Sequence, residues 1–182
     1  DIKGNGKNYY FQKEGDDKKM ERKELLENIA PCSLMCYTCG GYKNGAICKL
    51  AGELSGYLEG MYEFYEKHSG PEQKSYLERF QIFQEELTRM GEAGCGGCRN
   101  GEHNGCSIRG CFLLECVKDH EVDFCGECPE FPCDKVHSIF EEEVYLQWLE
   151  GGKRIREAGA EQFWEERRRV PHYAGYKKGL EE

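Results

Sequence analysis

The feature that most constrains this chain is a cysteine-rich run from Cys95 to Cys133, which holds eight of its twelve cysteines. The run contains two Cys-x2-Cys pairs, Cys95/Cys98 and Cys125/Cys128. Such a turn places two thiolates on one side of a tight loop, as a tetrahedral metal ion requires, and glycines at the turn let the backbone fold beneath the sulfurs. Several cysteines of this kind in one short segment predict metal binding, but they specify no reaction.

A second cluster, Cys32-x3-Cys36-x2-Cys39, lies nearer the N-terminus. Radical S-adenosylmethionine enzymes use the same spacing to hold three irons of a four-iron cluster. Those enzymes resemble barrels of alternating strands and helices, whereas this chain is too short for such a barrel and has almost no segment rich in β-branched residues. The context therefore disfavours a radical enzyme.

Length and composition limit the remaining possibilities. The 182 residues, 38% of them hydrophobic and 32% charged, predict a flexible leader over 1–19 and a single metal-stapled domain over 20–182. A formal charge of −9 disfavours nucleic-acid binding, which needs a basic face. With no long apolar run and no apolar signal core, we expect no membrane association and a cytoplasmic location.

Twelve cysteines could also form six disulfides. Disulfide scaffolds, however, spread their cysteines through short chains that are poor in helix. Here the cysteines cluster into paired turns between long stretches of helical periodicity, which favours metal over disulfides.

Apolar periodicity predicts a mainly α fold with little or no β structure. Four helices are predicted before Cys133: a short one ended by Pro31, an amphipathic one over 46–68, one from Pro71 to Gly91, and a short one over 108–120. Helix is also predicted after Cys133, with a bend or break at Gly151-Gly152 and a separation at Gly159. The two long neighbouring helices should form an antiparallel hairpin. We expect the aromatic stripe of 46–68 to pack in the core, and Cys48 to be either a buried thiol, which we favour, or a fourth ligand of the first cluster.

Three passages resemble a known family: IAPCSLMCYTC (Ile29–Cys39), CVKDHEVDFCGECPEFPC (Cys116–Cys133) and WLEGGKRIREAGAEQFWEE (Trp148–Glu166). They are similar to the corresponding parts of a widespread prokaryotic cysteine-rich family, domain of unknown function thirty-seven ninety-five, which is presumed to bind zinc. The similarity covers nearly all of Met20–Arg169 and is most specific between Asp123 and Cys133.

The resemblance implies metal-ligand roles for ten cysteines: Cys32, Cys36, Cys39, Cys95, Cys98, Cys111, Cys116, Cys125, Cys128 and Cys133. Cys106, inside the central run, joins them in our predicted ligand set. Ser33 stands where many members have glycine, and the C-terminal tail lacks a cysteine pair with which some longer members end. The resemblance supplies no reaction.

Spacing leaves the sharing of ligands open. The simplest grouping is Cys32/Cys36/Cys39/Cys48, then Cys95/Cys98/Cys106/Cys111, then Cys116/Cys125/Cys128/Cys133. In a cross-braced arrangement the N-terminal cluster instead completes a site in the central run, or Cys95/Cys98 pairs with Cys125/Cys128. His103 and His120 could each replace a thiolate, although loop histidines are more often exposed.

We therefore predict a zinc protein of unassigned role whose metal sites are mainly structural and which serves as an interaction or scaffolding module for an unidentified protein partner. The alternative is an iron–sulfur or other metal-dependent redox or radical enzyme, but the ferredoxin run of closely repeated cysteines is missing. No Ser-His-Asp order, phosphate-binding glycine loop or His-Glu-x-x-His motif supports catalysis by other residues.

Overall fold

Six α-helices and several short 3₁₀ turns form the regular structure of the computed structural model, which describes residues 20–100, 106, 108 and 110–174. The helices are α1 (Arg22–Asn28), α2 (Ala46–Tyr57), α3 (Met61–His68), α4 (Lys74–Gly91), α5 (Leu113–Asp119) and α6 (Glu142–Arg167). Within these ranges β structure is limited to two isolated bridges, Ile29 with Met35 and Tyr42 with Cys95. The predicted mainly α fold, a helical domain with cysteine-rich loops, is confirmed. The predicted leader 1–19 lies outside the described residues.

The short helix α1 follows its sequence signals closely. Leu25 and Ile29, four residues apart, are both fully buried. The helix ends at Asn28, shortly before Pro31, because a residue that precedes proline disfavours the helical conformation. No helix of the described structure is both long and apolar enough to span a bilayer.

The single helix predicted over 46–68 is wrong, because the structure breaks it into α2 and α3. The break contains Gly60, whose φ of 74° lies in the left-handed region that glycine adopts at little cost. The stripe that we expected in the core is also largely uncovered: the side chains of Tyr57 and Phe64 are 79% and 58% exposed.

The predicted antiparallel hairpin is formed by α2 and α4. At one end the Cys48 thiol donates a hydrogen bond to the Gly91 carbonyl, with Sγ and O 3.1 Å apart. At the other end Gln84 Nε2 donates to the Leu58 carbonyl at 3.0 Å. Cys48 is thus the buried thiol that the sequence favoured, held inside the hairpin.

The last long helix, α6, supports both cysteine loops. Gly159, with φ at 84°, interrupts it as predicted, but the bend predicted at Gly151-Gly152 is wrong because the helix continues through both residues. Both glycines are buried: a Cβ on Gly151 would overlap the Ser33 side chain, and one on Gly152 would overlap the Phe131 ring. These residues are therefore packing surfaces, where the absence of a side chain lets the loops approach.

Two clusters of buried residues form the hydrophobic core. The first surrounds Trp148 and contains Ala30, Cys32, Leu113, Val117, Cys125, Phe131, Val136 and Phe140. The second contains Leu25, Ile29, Met35, Phe124, Ile155, Ala160, Phe163 and Trp164. Leu113 and Val117 belong to α5, the shorter form of the helix predicted over 108–120.

The tight contact at Gly126 should make this residue intolerant of any side chain. A Cβ on Gly126 would overlap the backbone carbonyl of Gly152, which cannot rotate away. We expect Gly126→Ala to lower the free energy of unfolding by about 1–3 kcal/mol, the usual cost of overpacking. Denaturant unfolding followed by circular dichroism measures the change.

Gly56→Ala is the matched control, because a Cβ there meets nothing within 4 Å and Gly56 lies inside α2. Replacing a helical glycine by alanine should stabilise the protein by up to about 1 kcal/mol. Equal stability of the Gly126→Ala protein and the wild type would show that the α6 contact is not tight.

Candidate metal centre

The N-terminal cysteine loop is held by a short 3₁₀ turn, Cys36–Thr38, which is closed by a hydrogen bond of 2.9 Å from the Cys39 amide to the Cys36 carbonyl. Ser33 has a φ of 61°, in the left-handed region that favours glycine. A glycine would adopt this conformation at little cost. The Ser33 hydroxyl donates to the Cys32 carbonyl at 2.5 Å, a local hydrogen bond that a glycine would lack.

A short backbone bridge joins this loop to the start of the central run. The Lys43 amide donates to the Cys95 carbonyl, and the Cys95 amide donates to the Gly41 carbonyl, each at 3.0 Å. Cys95 and Cys98 are thereby brought to the N-terminal loop, although more than fifty residues separate Cys39 from Cys95 in sequence.

Around Cys98 the thiols of three chain segments come within electrostatic reach of one another. Cys36 and Cys98 are hydrogen-bonded, which together with burial raises the pKa of Cys36 well above its usual value. The same hydrogen bond, helped by the neighbouring Arg99 charge, lowers the pKa of Cys98 to about 7. We call the thiols linked to Cys98, directly or through one other thiol, the Cys98 group: Cys32, Cys36, Cys39, Cys95, Cys98, Cys106 and Cys111. Cys32 is also within electrostatic reach of Cys125.

A second set of thiols lies beside α6. Burial raises the pKa of Cys125 to about 12, and the charges of Cys116, Cys133 and Cys128 add to this effect. Cys116 is likewise influenced by Cys133 and Cys128. We call these four the Cys125 group: Cys116, Cys125, Cys128 and Cys133. A hydrogen bond of 2.8 Å from the Cys125 amide to the Pro31 carbonyl ties this group to the N-terminal loop.

The two groups together contain all eleven cysteines predicted as ligands and leave out Cys48. The Cys125 group contains the same four cysteines as the third set of the simplest sequence grouping. The first combines the N-terminal cluster with the start of the central run, as in the cross-braced alternative. None of the twelve cysteines forms a disulfide in the structure.

The indole of Trp148 gives a test of whether the Cys125 group suits a charged metal site. Its Nε1 is fully buried and has no hydrogen-bond partner in the described structure. The same indole opposes the effect of burial on Cys125 by lowering the pKa of that thiol. A thiolate at Cys125 would therefore face a buried donor in need of an acceptor, which fits a metal-bound sulfur.

The described side chains do not converge on a metal position. No three Cys, His, Asp or Glu side chains among these residues are arranged so that they could hold an ion. The donor chemistry fits a thiolate-binding metal, since soft sulfur ligands are gathered in two places, but the structure defines no coordination geometry.

Arg99 is a structural residue that the sequence did not reveal. Its guanidinium donates to the carbonyls of Leu26 and Ile29 at 3.1 and 2.9 Å, and also to the Asp123 carbonyl. The Arg99 guanidinium also lies over the Phe124 ring, with its Cζ 5.2 Å from the ring centre. Arg22 lies over the same ring at 5.1 Å. Arg99, which follows Cys98, therefore connects the start of the cysteine-rich run to α1 and to the backbone at Asp123.

Arg156 of α6 makes a similar brace around the Cys125 group. It donates to the carbonyls of Gly126, Cys128 and Phe131 at 2.8, 2.5 and 3.0 Å. Carbonyl-bound arginines carry no simple sequence signal, because their partners are backbone atoms whose positions depend on the fold. Only the basic residue beside a cysteine, as at Arg99, could have suggested a role.

The histidines and the C-terminal tail take different places. His120 Nδ1 lies 2.7 Å from the Cys116 carbonyl and 3.9 Å from the Cys116 sulfur, and its Nε2 lies 3.5 Å from Glu130. His103 falls outside the described residues. Near the C-terminal end of the described residues, the Tyr173 hydroxyl lies 3.6 Å from the Cys39 sulfur, where either group could be the hydrogen-bond donor.

An open groove of about 540 Å³ lies between α3 and α4, lined by polar residues such as Tyr62, Gln81 and Arg89. None of its lining residues is a cysteine. The groove and the cysteine groups therefore do not form one site.

The fold and the site define the chain as a small helical protein with two gathered groups of thiols. It belongs to the family described as Protein of unknown function (DUF3795), whose model matches residues 28–138. This range contains all twelve cysteines, whereas the similar passage Trp148–Glu166 lies beyond it. No curated protein and no solved structure matches the chain.

Replacing Arg99 should destabilise the protein strongly. In Arg99→Met the carbonyls of Leu26, Ile29 and Asp123 lose their donor, and buried acceptors left unpaired cost about 1–3 kcal/mol. Arg99→Lys should restore only part of this loss, since an ammonium lacks the planar fork that reaches several acceptors. Denaturant unfolding of both variants measures the difference.

Arg89→Met is the matched control, because Arg89 is exposed and its ion pair with Glu86 lies on the surface. We expect a change of less than about 1 kcal/mol there. Equal effects of the Arg99 and Arg89 substitutions would contradict the role assigned to Arg99.

Proposed function

We propose that this chain is a zinc-binding protein whose thiolate sites are structural and which acts as an interaction or scaffolding module. The observation that carries the proposal is the gathering of the eleven predicted ligands into two groups, while Cys48 stays apart in the α2–α4 hairpin. A chain that used its cysteines only as small core residues would have no reason to separate them in this way.

Zinc suits these groups because it prefers soft sulfur ligands and imposes little geometric demand beyond four-coordination. When bound by four thiolates it has no open position, so its contribution is folding free energy. The Cys125 group offers four such ligands, and the Cys98 group offers more than four.

The chain's own charges support thiolates at both places. The Arg99 guanidinium lowers the pKa of Cys98, and the Lys135 ammonium opposes the rise in the pKa of Cys116 that burial produces. Near the Cys125 group, the Trp148 indole opposes the rise in the pKa of Cys125 that burial produces. Each group therefore has at least one side chain that favours the deprotonated sulfur that metal binding requires.

A structural role agrees with the position of the groups in the fold. The Cys98 group joins segments that are distant in sequence, and the Cys125 group rests on α6 through Gly126. Metal ions at these positions would fix the loops to each other and to the helical body.

The metal content of protein purified without oxygen tests the proposal. We expect at least roughly two zinc ions per chain, one for each group, and a colourless protein. Cys36→Ser and Cys128→Ser should each lower the zinc content by about one ion, because each removes a ligand from a different group. Elemental analysis for zinc and iron, with an absorption spectrum, makes the measurement.

Cys48→Ser is the matched control, since a serine hydroxyl can keep the hydrogen bond to the Gly91 carbonyl. Its zinc content should equal that of the wild type. Stoichiometric iron with visible absorbance would instead identify an iron–sulfur protein, and a protein free of both metals would refute metal binding.

Removal of zinc should release the central run while leaving most of the helices intact. The α2–α4 hairpin is closed by its own hydrogen bonds and includes neither thiol group, so it does not depend on the metal. After treatment with a chelator we expect rapid protease cleavage between Cys95 and Cys133 but a largely retained far-ultraviolet circular dichroism signal. Unchanged cleavage of this segment would show that metal does not staple the fold.

A further inference from the structure

Helix α4 leaves several large apolar side chains partly exposed. Its buried and half-buried residues form one row, Leu77, Phe80, Gln84, Leu87 and Gly91, and the other α4 positions are exposed. The exposed positions include Tyr76, Ile82, Phe83 and Met90, all of them large and apolar. Exposed side chains of this size in one helix are typical of an interaction surface.

Three of these residues form a straight stripe. Tyr76, Phe83 and Met90 are spaced by seven residues, which is close to two helical turns, so their side chains lie above one another on one side of α4. They are 41%, 46% and 37% exposed, and the Tyr76 ring packs in part against Phe80 and against Tyr65 of α3. We call this set the α4 stripe. It begins near the N-terminal end of the helix and ends at its last turn.

The α4 stripe is symmetrical about its centre. If a second α4 runs antiparallel to the first, with a two-fold axis at Phe83, Tyr76 of one copy meets Met90 of the other and Phe83 meets Phe83. An isologous interface requires this kind of self-complementary patch. An apolar stripe of equal spacing on both sides of one aromatic residue provides it.

The charges beside the stripe favour the same arrangement. Arg79 lies four residues before Phe83 and Glu86 three residues after it, so both flank the stripe on the same side of the helix. In the antiparallel pair Arg79 of each copy lies beside Glu86 of the other. A parallel pair would place the charged flanks of the two copies on opposite sides of the interface, where Arg79 of one copy could not meet Glu86 of the other.

The net charge of α4 also fits a second copy. Its three basic residues, Lys74, Arg79 and Arg89, balance its three acidic residues, Glu78, Glu85 and Glu86, although the whole chain carries −9. Two copies therefore meet at a neutral face. The first half of the helix has a net positive charge and the second half a net negative one, which again favours the antiparallel direction.

Helix α2 extends the face. Leu54 precedes Ser55, which contacts Thr88 of α4, and Phe83 precedes Gln84, which contacts Leu58 of α2. Leu54 and Phe83 each come one residue before a residue that contacts the other helix, so each points about 100° away from that contact, in the same sense around its own helix axis. In an antiparallel pair such residues lie on the same face, so the exposed Leu54 adds apolar area next to Phe83.

From these observations we infer that the protein forms an isologous dimer in which the α4 stripe packs antiparallel against the α4 stripe of a second copy. The helix, roughly 27 Å long, can provide much of the area of about 800 Å² that a standard interface buries on each partner. The dimer is independent of the zinc proposal, because α4 contains no cysteine.

Sedimentation of the full-length protein over a range of concentrations, with its zinc content measured in parallel, tests the dimer. We expect a monomer–dimer equilibrium in the wild type. Phe83→Glu, which places two carboxylates at the two-fold axis, should weaken the dimer at least tenfold without changing the helical signal or the zinc content. Leu146→Glu is the matched control, since Leu146 is more exposed than Phe83 but lies on α6, outside the hairpin.

A charge exchange tests the direction of the pair. Arg79→Glu and Glu86→Arg should each weaken the dimer severalfold, because like charges then face each other across the axis. The double variant should regain most of the wild-type affinity, because the opposite charges face each other again. Within one chain these residues are seven apart and too distant to compensate each other.

A monomer at all concentrations, a dimer unaffected by Phe83→Glu, or a dimer that Leu146→Glu weakens equally would overturn the inference. A monomer would leave the α4 face to a different partner. Failure of the double charge variant to regain affinity would exclude the antiparallel arrangement. Loss of zinc with an intact dimer, or the reverse, separates this inference from the zinc proposal.

Discussion

The close approach of both cysteine loops to α6 is the constraint on which the rest of the structure depends. Ser33, inside the N-terminal loop, packs on Gly151, and Gly126, inside the second Cys-x2-Cys turn, lies against the backbone of Gly152. Adjacent residues on a helix point about 100° apart, so two neighbouring glycines create a surface wide enough for both loops. A side chain at either position would push one group of thiols away from the helical body.

The contacts that surround these glycines use the backbone more than side-chain pairs. Arg99 and Arg156 together donate to carbonyls of α1, of the Asp123 region and of the Cys125–Cys128 turn. Buried carbonyls in irregular loops must find donors, and an arginine can satisfy several at once. This solves a general problem of cysteine-rich loops, which have few backbone partners of their own.

The molecule divides its stabilisation between two kinds of packing. The body around α6 combines aromatic residues such as Trp148 and Phe124 with buried and half-buried thiols. The α2–α4 hairpin has no such group and closes through Cys48, Gln84 and a narrow apolar row. Its large exposed side chains are a cost in water that a second copy would remove by burying them.

The sequence by itself determined the helical class, the ends of α1 and α4, and the candidate ligands. Local spacing is enough for these, because helix periodicity, a nearby Pro31 and paired cysteines act over a few residues. It could not determine the break at Gly60, since glycine occurs both inside and between helices.

Only the tertiary structure decided which cysteines share a group and what Gly151-Gly152 do. Both depend on contacts between segments far apart in sequence: Cys36 meets Cys98, and Gly126 meets Gly152. A glycine pair has the same local signature whether it bends a helix or accepts a neighbouring backbone. The physical difference lies in the partner, which spacing along the chain does not contain.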